Sequence, residues 1–130
     1  MFKALVIFLG AGAGGVLRYW LGGLVQHWWG EGFPLGTMIV NISGCLAMGF
    51  LATAWYGPWV VRDEVRSLVL IGLLGGYTTF STFGRETLAL AHSAEWGRAG
   101  VYVLGSVALS LAGVWLGAAI ARGIYGPGEV

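Results

Sequence analysis

The sequence is short of charge. Acidic and basic side chains make up 10% of its 130 residues, against ~25% in a soluble globular domain. With so little charge, 57% apolar residues and a mean hydropathy of +0.77, a water-exposed fold is excluded and the chain belongs in a bilayer. A net charge of +1 offers no basic surface for nucleic acid. The lone cysteine, Cys45, rules out an intrachain disulfide, and its apolar surroundings mark it as a packing residue. Catalytic constellations are missing as well. There is no Ser/His/Asp set, no carboxylate pair and no Walker-type phosphate loop. Gly10-x-Gly12-x-x-Gly15 matches a dinucleotide fingerprint by letters only, because no strand precedes it. His27 and His92 stand outside any spacing that holds a transition metal. The chain reads as a non-enzyme.

Glycine is abundant instead, 24 residues in 130, where ~7% is usual. These glycines lie inside apolar runs, where small residues let membrane helices approach closely. Gly10/Gly14, Gly72/Gly76 and Gly113/Gly117 are each four apart. The apolar runs number four, over residues 4–25, 35–56, 67–91 and 99–121, each near the ~20 residues that cross a bilayer. The expected architecture is a single all-α membrane domain of four transmembrane helices. Short connections predict that sequential helices are antiparallel neighbours. The first run continues past Arg18 to Val25, which is too long for a cleaved signal peptide. Trp28, Trp29, Phe33, Trp55, Tyr56, Trp59 and Trp96 gather at the ends of the runs as an interfacial belt. An even number of spans puts both termini on one side with Lys3, Arg62, Arg66 and Arg122, against Arg98 on the other. That balance leans toward cytoplasmic termini.

The most unusual stretch is Gly72–Glu86, G-L-L-G-G-Y-T-T-F-S-T-F-G-R-E. Thr78, Thr79, Ser81 and Thr82 go right round a helix and cannot share one face. In hydrocarbon such polarity is tolerated only where protein buries it or where it lines a wet cavity. Other runs supply matching polarity. Thr37, Asn41, Gly44 and Met48 recur on one face of the second run. Asn41 there suits an interhelix hydrogen bond or a pore lining equally. Tyr102, Ser106 and Ser110 make a stripe of hydroxyls on the fourth run. Arg18 either snorkels to the interface or faces a water-filled vestibule.

Transport fits these features better than chemistry does. Gly76-Tyr77-Thr78 matches a potassium filter only superficially, since the order of residues differs. A small proton-coupled multidrug or cation exporter is the alternative, and it requires a membrane carboxylate. Glu86 is the one candidate. An anion path has more of its parts. Asn41, Thr82, Tyr102, Ser106 and Ser110 offer N–H or O–H donors, and the positive edges of Phe80 and Phe83 can face an anion.

On these motifs the chain resembles the Fluc (CrcB-type) fluoride-channel family from end to end. The resemblance rests on G-A-G-G-V-L-R-Y ending at Arg18-Tyr19, P-L-G-T-M-I-V-N-I-S-G with Asn41, G-G-Y-T-T-F-S-T-F, and the Tyr102/Ser106/Ser110 stripe. It implies a passive channel exporting cytoplasmic fluoride through the inner membrane, built as an antiparallel, dual-topology homodimer with two pores. Phe80 and Phe83 would then be pore phenylalanines contributed from both subunits, with Asn41 the pore asparagine. Thr82, Ser106 and Ser110 would form a polar track with Ser81 and Tyr102 beside it and Glu86 toward one mouth. The third helix would break in mid-membrane, opened by the Gly75-Gly76 pair. Backbone carbonyls of Gly75 and Thr78 would hold a structural sodium ion at the two-fold axis. Dual topology calls for little charge bias, and the four-to-one count of basic residues runs against it.

Overall fold

The computed structural model describes residues 1–30, 32–56 and 61–126. Trp59, assigned above to the aromatic belt, lies outside the described residues, as does the side chain of Tyr56. The chain is all-helical: α1 (Phe2–Trp29), α2 (Leu35–Tyr56), α3 (Asp63–Arg66), a π-helical segment (Ser67–Leu74), α4 (Gly75–Tyr77), α5 (Phe80–His92) and α6 (Trp96–Tyr125). Among the described residues four helical runs are long and apolar enough to cross a membrane, at Phe2–Trp29, Leu35–Trp55, Asp63–His92 and Trp96–Tyr125. Their outer faces carry large apolar side chains, among them Phe8, Trp20, Leu104 and Trp115, each more than half exposed. Such faces suit lipid, which is as apolar as they are.

Two helices stop at glycines in the left-handed region. Gly30 at φ 83° returns its N–H to the Gln26 carbonyl at 2.9 Å. Gly126 at φ 86° does the same with Arg122 at 2.8 Å. Only a residue without Cβ takes that conformation freely, and the bond satisfies an orphan carbonyl of the last turn.

Sequential helices touch, as their short connections predict, but they are not the main neighbours. The most extensive contacts join α2 to α6 and α1 to the π-helical segment and α4, with α1 against α2 and α5 against α6 secondary. Glycine spacing decides this. A Cβ on Gly10 or Gly14 would collide with the backbone of Leu68, Leu73 or Tyr77, and one on Gly76 with the backbone of Ala11. On the other seam, Gly49 faces the Val114 backbone and Gly117 the Leu46 backbone. Backbone touches backbone at both seams, and loop length does not override that fit.

The long third run does not keep one helical path. The π-helical winding of Ser67–Leu74 gives way to α4, and the chain is then extended at Thr78 (φ −77°, ψ 158°) and Thr79 (φ −150°, ψ 120°) before α5 begins. The Gly75-Gly76 pair itself is helical. Gly76 makes room for the Ala11 backbone of α1, whereas a Cβ on Gly75 would meet nothing within 4 Å; the non-helical residues are the two threonines that follow Tyr77.

Candidate functional site

The extended pair Thr78–Thr79 leaves peptide groups that a continuous helix would have paired, and side chains from two other positions, Asn41 and Arg18, take them up. The Asn41 amide on α2 meets Thr79 from both ends. Its Nδ2 donates to the Thr79 carbonyl at 3.0 Å, and its Oδ1 accepts from the Thr79 N–H at 2.7 Å. That N–H is the donor a continuous helix would direct at the Gly75 carbonyl. Arg18 on α1 donates from Nη1 to the Thr78 carbonyl at 3.3 Å. Thr79 caps α5, its Oγ1 accepting from the Thr82 N–H at 3.2 Å and donating to Thr82 Oγ1 at 3.0 Å. Before the extended pair, Tyr77 is buried and its hydroxyl lies 2.8 Å from Ser43 Oγ. A Cβ on Gly44 would collide with Thr78 and the Tyr77 ring, so α2 can come close enough for these bonds to form.

Beside this junction lies a cavity of about 290 Å³ lined by Asn41, Cys45, Thr78, Thr79, Phe80, Phe83, Ser106, Val107, Ser110 and Leu111. Most of its wall is apolar. Its polar groups come from Asn41, the two threonines and the two serines of α6. Ser106 is 5% exposed, and its hydroxyl has no hydrogen-bond partner among the described residues. A buried hydroxyl left unpaired costs about 1–3 kcal/mol. The Phe80 and Phe83 rings stand 5.4 Å apart at 42°. Phe83 is buried, whereas Phe80 is 82% exposed.

A second cavity, about 530 Å³, is lined by Gln26, Gly32, Pro34, Glu86, Ala89, Leu90, Ser93, Glu95 and Arg98. Between the two sits a compact cluster. Glu86 accepts from Thr37 Oγ1 at 3.0 Å and from Tyr102 Oη at 2.7 Å. Tyr102 is fully buried, with the Phe83 ring 5.2 Å away on one side and the Phe33 ring 5.6 Å away, edge-on at 86°, on the other. Phe83 therefore reaches from the inner cavity to the tyrosine that holds Glu86 at the outer one.

The sequence-derived candidates divide accordingly. Asn41, Phe80, Phe83, Ser106 and Ser110 gather on the inner cavity, together with Thr78. Tyr102 and Glu86 form the cluster between the cavities. Thr82 serves the cap of α5, and Ser81 is exposed, 3.4 Å from Thr79 Oγ1. Arg18, half-buried, holds the Thr78 backbone carbonyl. Gly75 is helical and exposed. Of four further residues at the site, the sequence marks Thr37 and Thr79 only for their polarity, Cys45 only for packing, and Gln26 not at all. Thr79 had a readable signal, a threonine three residues before Thr82 at the start of an amphipathic stretch. Thr37 and Cys45 lie one turn either side of Asn41; Cys45, read as packing, lines the cavity. Gln26 carried no signal, because its partners are backbone groups of the connection and of the start of α2. Among the described residues no three His, Cys, Asp or Glu side chains assemble into a metal site.

A family model described as CrcB-like protein, Camphor Resistance (CrcB), matches residues 5–118 of the chain. A protein from Opitutus terrae named fluoride-specific ion channel FluC is 47% identical over 122 residues, which are 92% of each chain. One of the same name from Coxiella burnetii is 50% identical over 121 residues, covering 92% of this chain and 98% of the relative. A third of that name, from Methylococcus capsulatus, is 46% identical over 116 residues. Those residues are 89% of this chain but 51% of the relative, so the chain spans about half that relative's length.

Proposed function

The chain belongs to the CrcB-like family, and from that premise we propose that it is a passive, fluoride-selective channel of the inner membrane. It lets cytoplasmic fluoride leave the cell. The relatives are named as channels and not as enzymes or exporters, so the proton-coupled exporter is not favoured. The single observation that carries the reading within this chain is the Ser106 hydroxyl, buried without a partner on a cavity walled by Phe80 and Phe83. A small, strongly hydrated anion can shed water only where fixed donors replace it. Ser106, Ser110 and the amide edge of Asn41 supply such donors, while the phenylalanine edges add positive potential and apolar bulk. Ions would pass from the inner cavity along Phe83 and Tyr102 to the Glu86 mouth.

The finer architecture is part of the proposal. Two copies would pack antiparallel, in both membrane orientations, giving two pores per dimer. Phe80, 82% exposed in the single chain, would enter the pore of the partner copy. The third run would break in mid-membrane at Thr78–Thr79, and a structural sodium ion would sit on the two-fold axis against the carbonyls of Gly75 and Thr78. Those groups fit a hard cation. The Gly75 carbonyl is released from Thr79 by Asn41. The Thr78 carbonyl, bonded once to Arg18, keeps a second lone pair. The ion's role would be to fix the two extended segments against each other.

Ion efflux from proteoliposomes tests the reading. Vesicles loaded with potassium fluoride should empty through the reconstituted protein once a potassium ionophore balances charge, and chloride-loaded vesicles should not. Equal fluxes of the two anions, or no fluoride flux, would sink it.

A further inference from the structure

Gln26 uses every polar atom it has on neighbouring backbone. Its Nε2 donates to the carbonyls of Gly30 and Phe33, the latter at 3.0 Å, and its Oε1 accepts from the Gly36 N–H at 3.2 Å. Gly36 is in the first turn of α2, where N–H groups have no partner within the helix. A side chain from the last turn of α1 thus caps α2 across the connection. One turn below, a Cβ on Gly36 would collide with Gly22, so the two helices are already in backbone contact. The clamp leaves the segment around Phe33 little freedom.

Phe33 is also the ring that meets Tyr102 edge-on, and Tyr102 donates to Glu86. Gln26 itself lines the same outer cavity as Glu86. We infer that Gln26 is a positioning residue for the Glu86 mouth, acting through Phe33 to hold the Tyr102 hydroxyl on the Glu86 carboxylate. It fixes a side chain on α6 by pinning a backbone carbonyl between α1 and α2. The inference rests on the channel reading above and adds to it the residue that sets the geometry of the mouth.

The test is a cycle of fluoride efflux rates for wild type, Gln26→Leu, Tyr102→Phe and the double variant, each at equal reconstituted protein. Gln26→Leu should slow efflux about tenfold, the size of effect that one or two lost hydrogen bonds produce in a barrier. In the Tyr102→Phe background it should add almost nothing, because the hydroxyl it positions is gone. A merely structural glutamine would multiply the two losses, and that outcome overturns the assignment. Gln26→Glu, which keeps the volume and the acceptor for Gly36 but loses both donors, should reproduce the slowing if Gln26→Leu does not fold. A readout free of flux is the fluorine resonance of 3-fluorotyrosine-labelled protein that disappears in Tyr102→Phe. It should move in Gln26→Leu, and an unmoved resonance also overturns the assignment. Absence of fluoride efflux from wild type overturns the channel reading instead, and the resonance still reports on Gln26.

Discussion

Ser106 and Asn41 sit on the same cavity and make opposite predictions for stability. The Ser106 hydroxyl is buried and unpaired, so its removal relieves a desolvation penalty of about 1–3 kcal/mol. Ser106→Ala should leave the melting temperature in detergent unchanged or higher while fluoride efflux falls. Wild-type efflux from that variant would remove the serine from the ion path. Asn41 is bonded at both ends to Thr79. Asn41→Ala strands a buried N–H, and about 1–3 kcal/mol of stability should go with it. Its melting temperature should drop along with its efflux, and an unshifted melt would mean that water replaces the amide at the junction. In the sequence Asn41 carried two readings, interhelix bond and pore lining. The geometry gives it both an interhelix bond and a place on the cavity wall, because one amide can hold a backbone on one edge and face a cavity on another. Cys45 and Gln26 were harder to read, since what singles them out is what they meet in three dimensions.

At the scale of elements, hydrophobic runs and glycine spacing were legible because both are periodic along the chain. Which helix meets which was not, because short loops favour sequential neighbours whereas close-packing surfaces favour α2 with α6 and α1 with the third run. The departure from helix at Thr78–Thr79 was legible only approximately. Glycines mark where backbone can bend, yet Gly76 is committed to the Ala11 backbone while Asn41 takes the amide of Thr79. Tertiary partners moved the non-helical backbone three residues past the glycines' start. The α1 seam makes its own prediction. Gly14→Ala places a methyl on the backbone of Leu73 and Tyr77, neither of which can rotate away. Overpacking of that kind costs about 1–3 kcal/mol. The melting temperature should therefore fall for Gly14→Ala and stay within error for Gly12→Ala, whose Cβ would meet nothing within 4 Å. Equal shifts would mean that the seam is not close-packed.

At the scale of the whole molecule, one face of the third run is at odds with lipid. Ile71, Gly75 and Phe80 are exposed on the single chain, and beside them lie the extended Thr78–Thr79 backbone and the mouth of a partly polar cavity. Hydrocarbon covers isoleucine and phenylalanine without penalty, but it does not cover non-helical backbone. A second copy of the chain is the cover proposed above, and its antiparallel placement makes a measurement with only a few possible answers. Purified protein should have a native mass of twice 13.7 kDa. In vesicles, a Phe2→Cys variant lacking Cys45 should react with a membrane-impermeant maleimide on about half its copies, and on the rest only after permeabilisation. Complete labelling from one side would mean a single orientation, as the four basic residues on the side of the termini favour. A parallel dimer or a monomer would then have to shield the same face, and the antiparallel proposal would fall. Half-labelling in the dimer would instead show that the four-to-one count of basic residues does not choose a side.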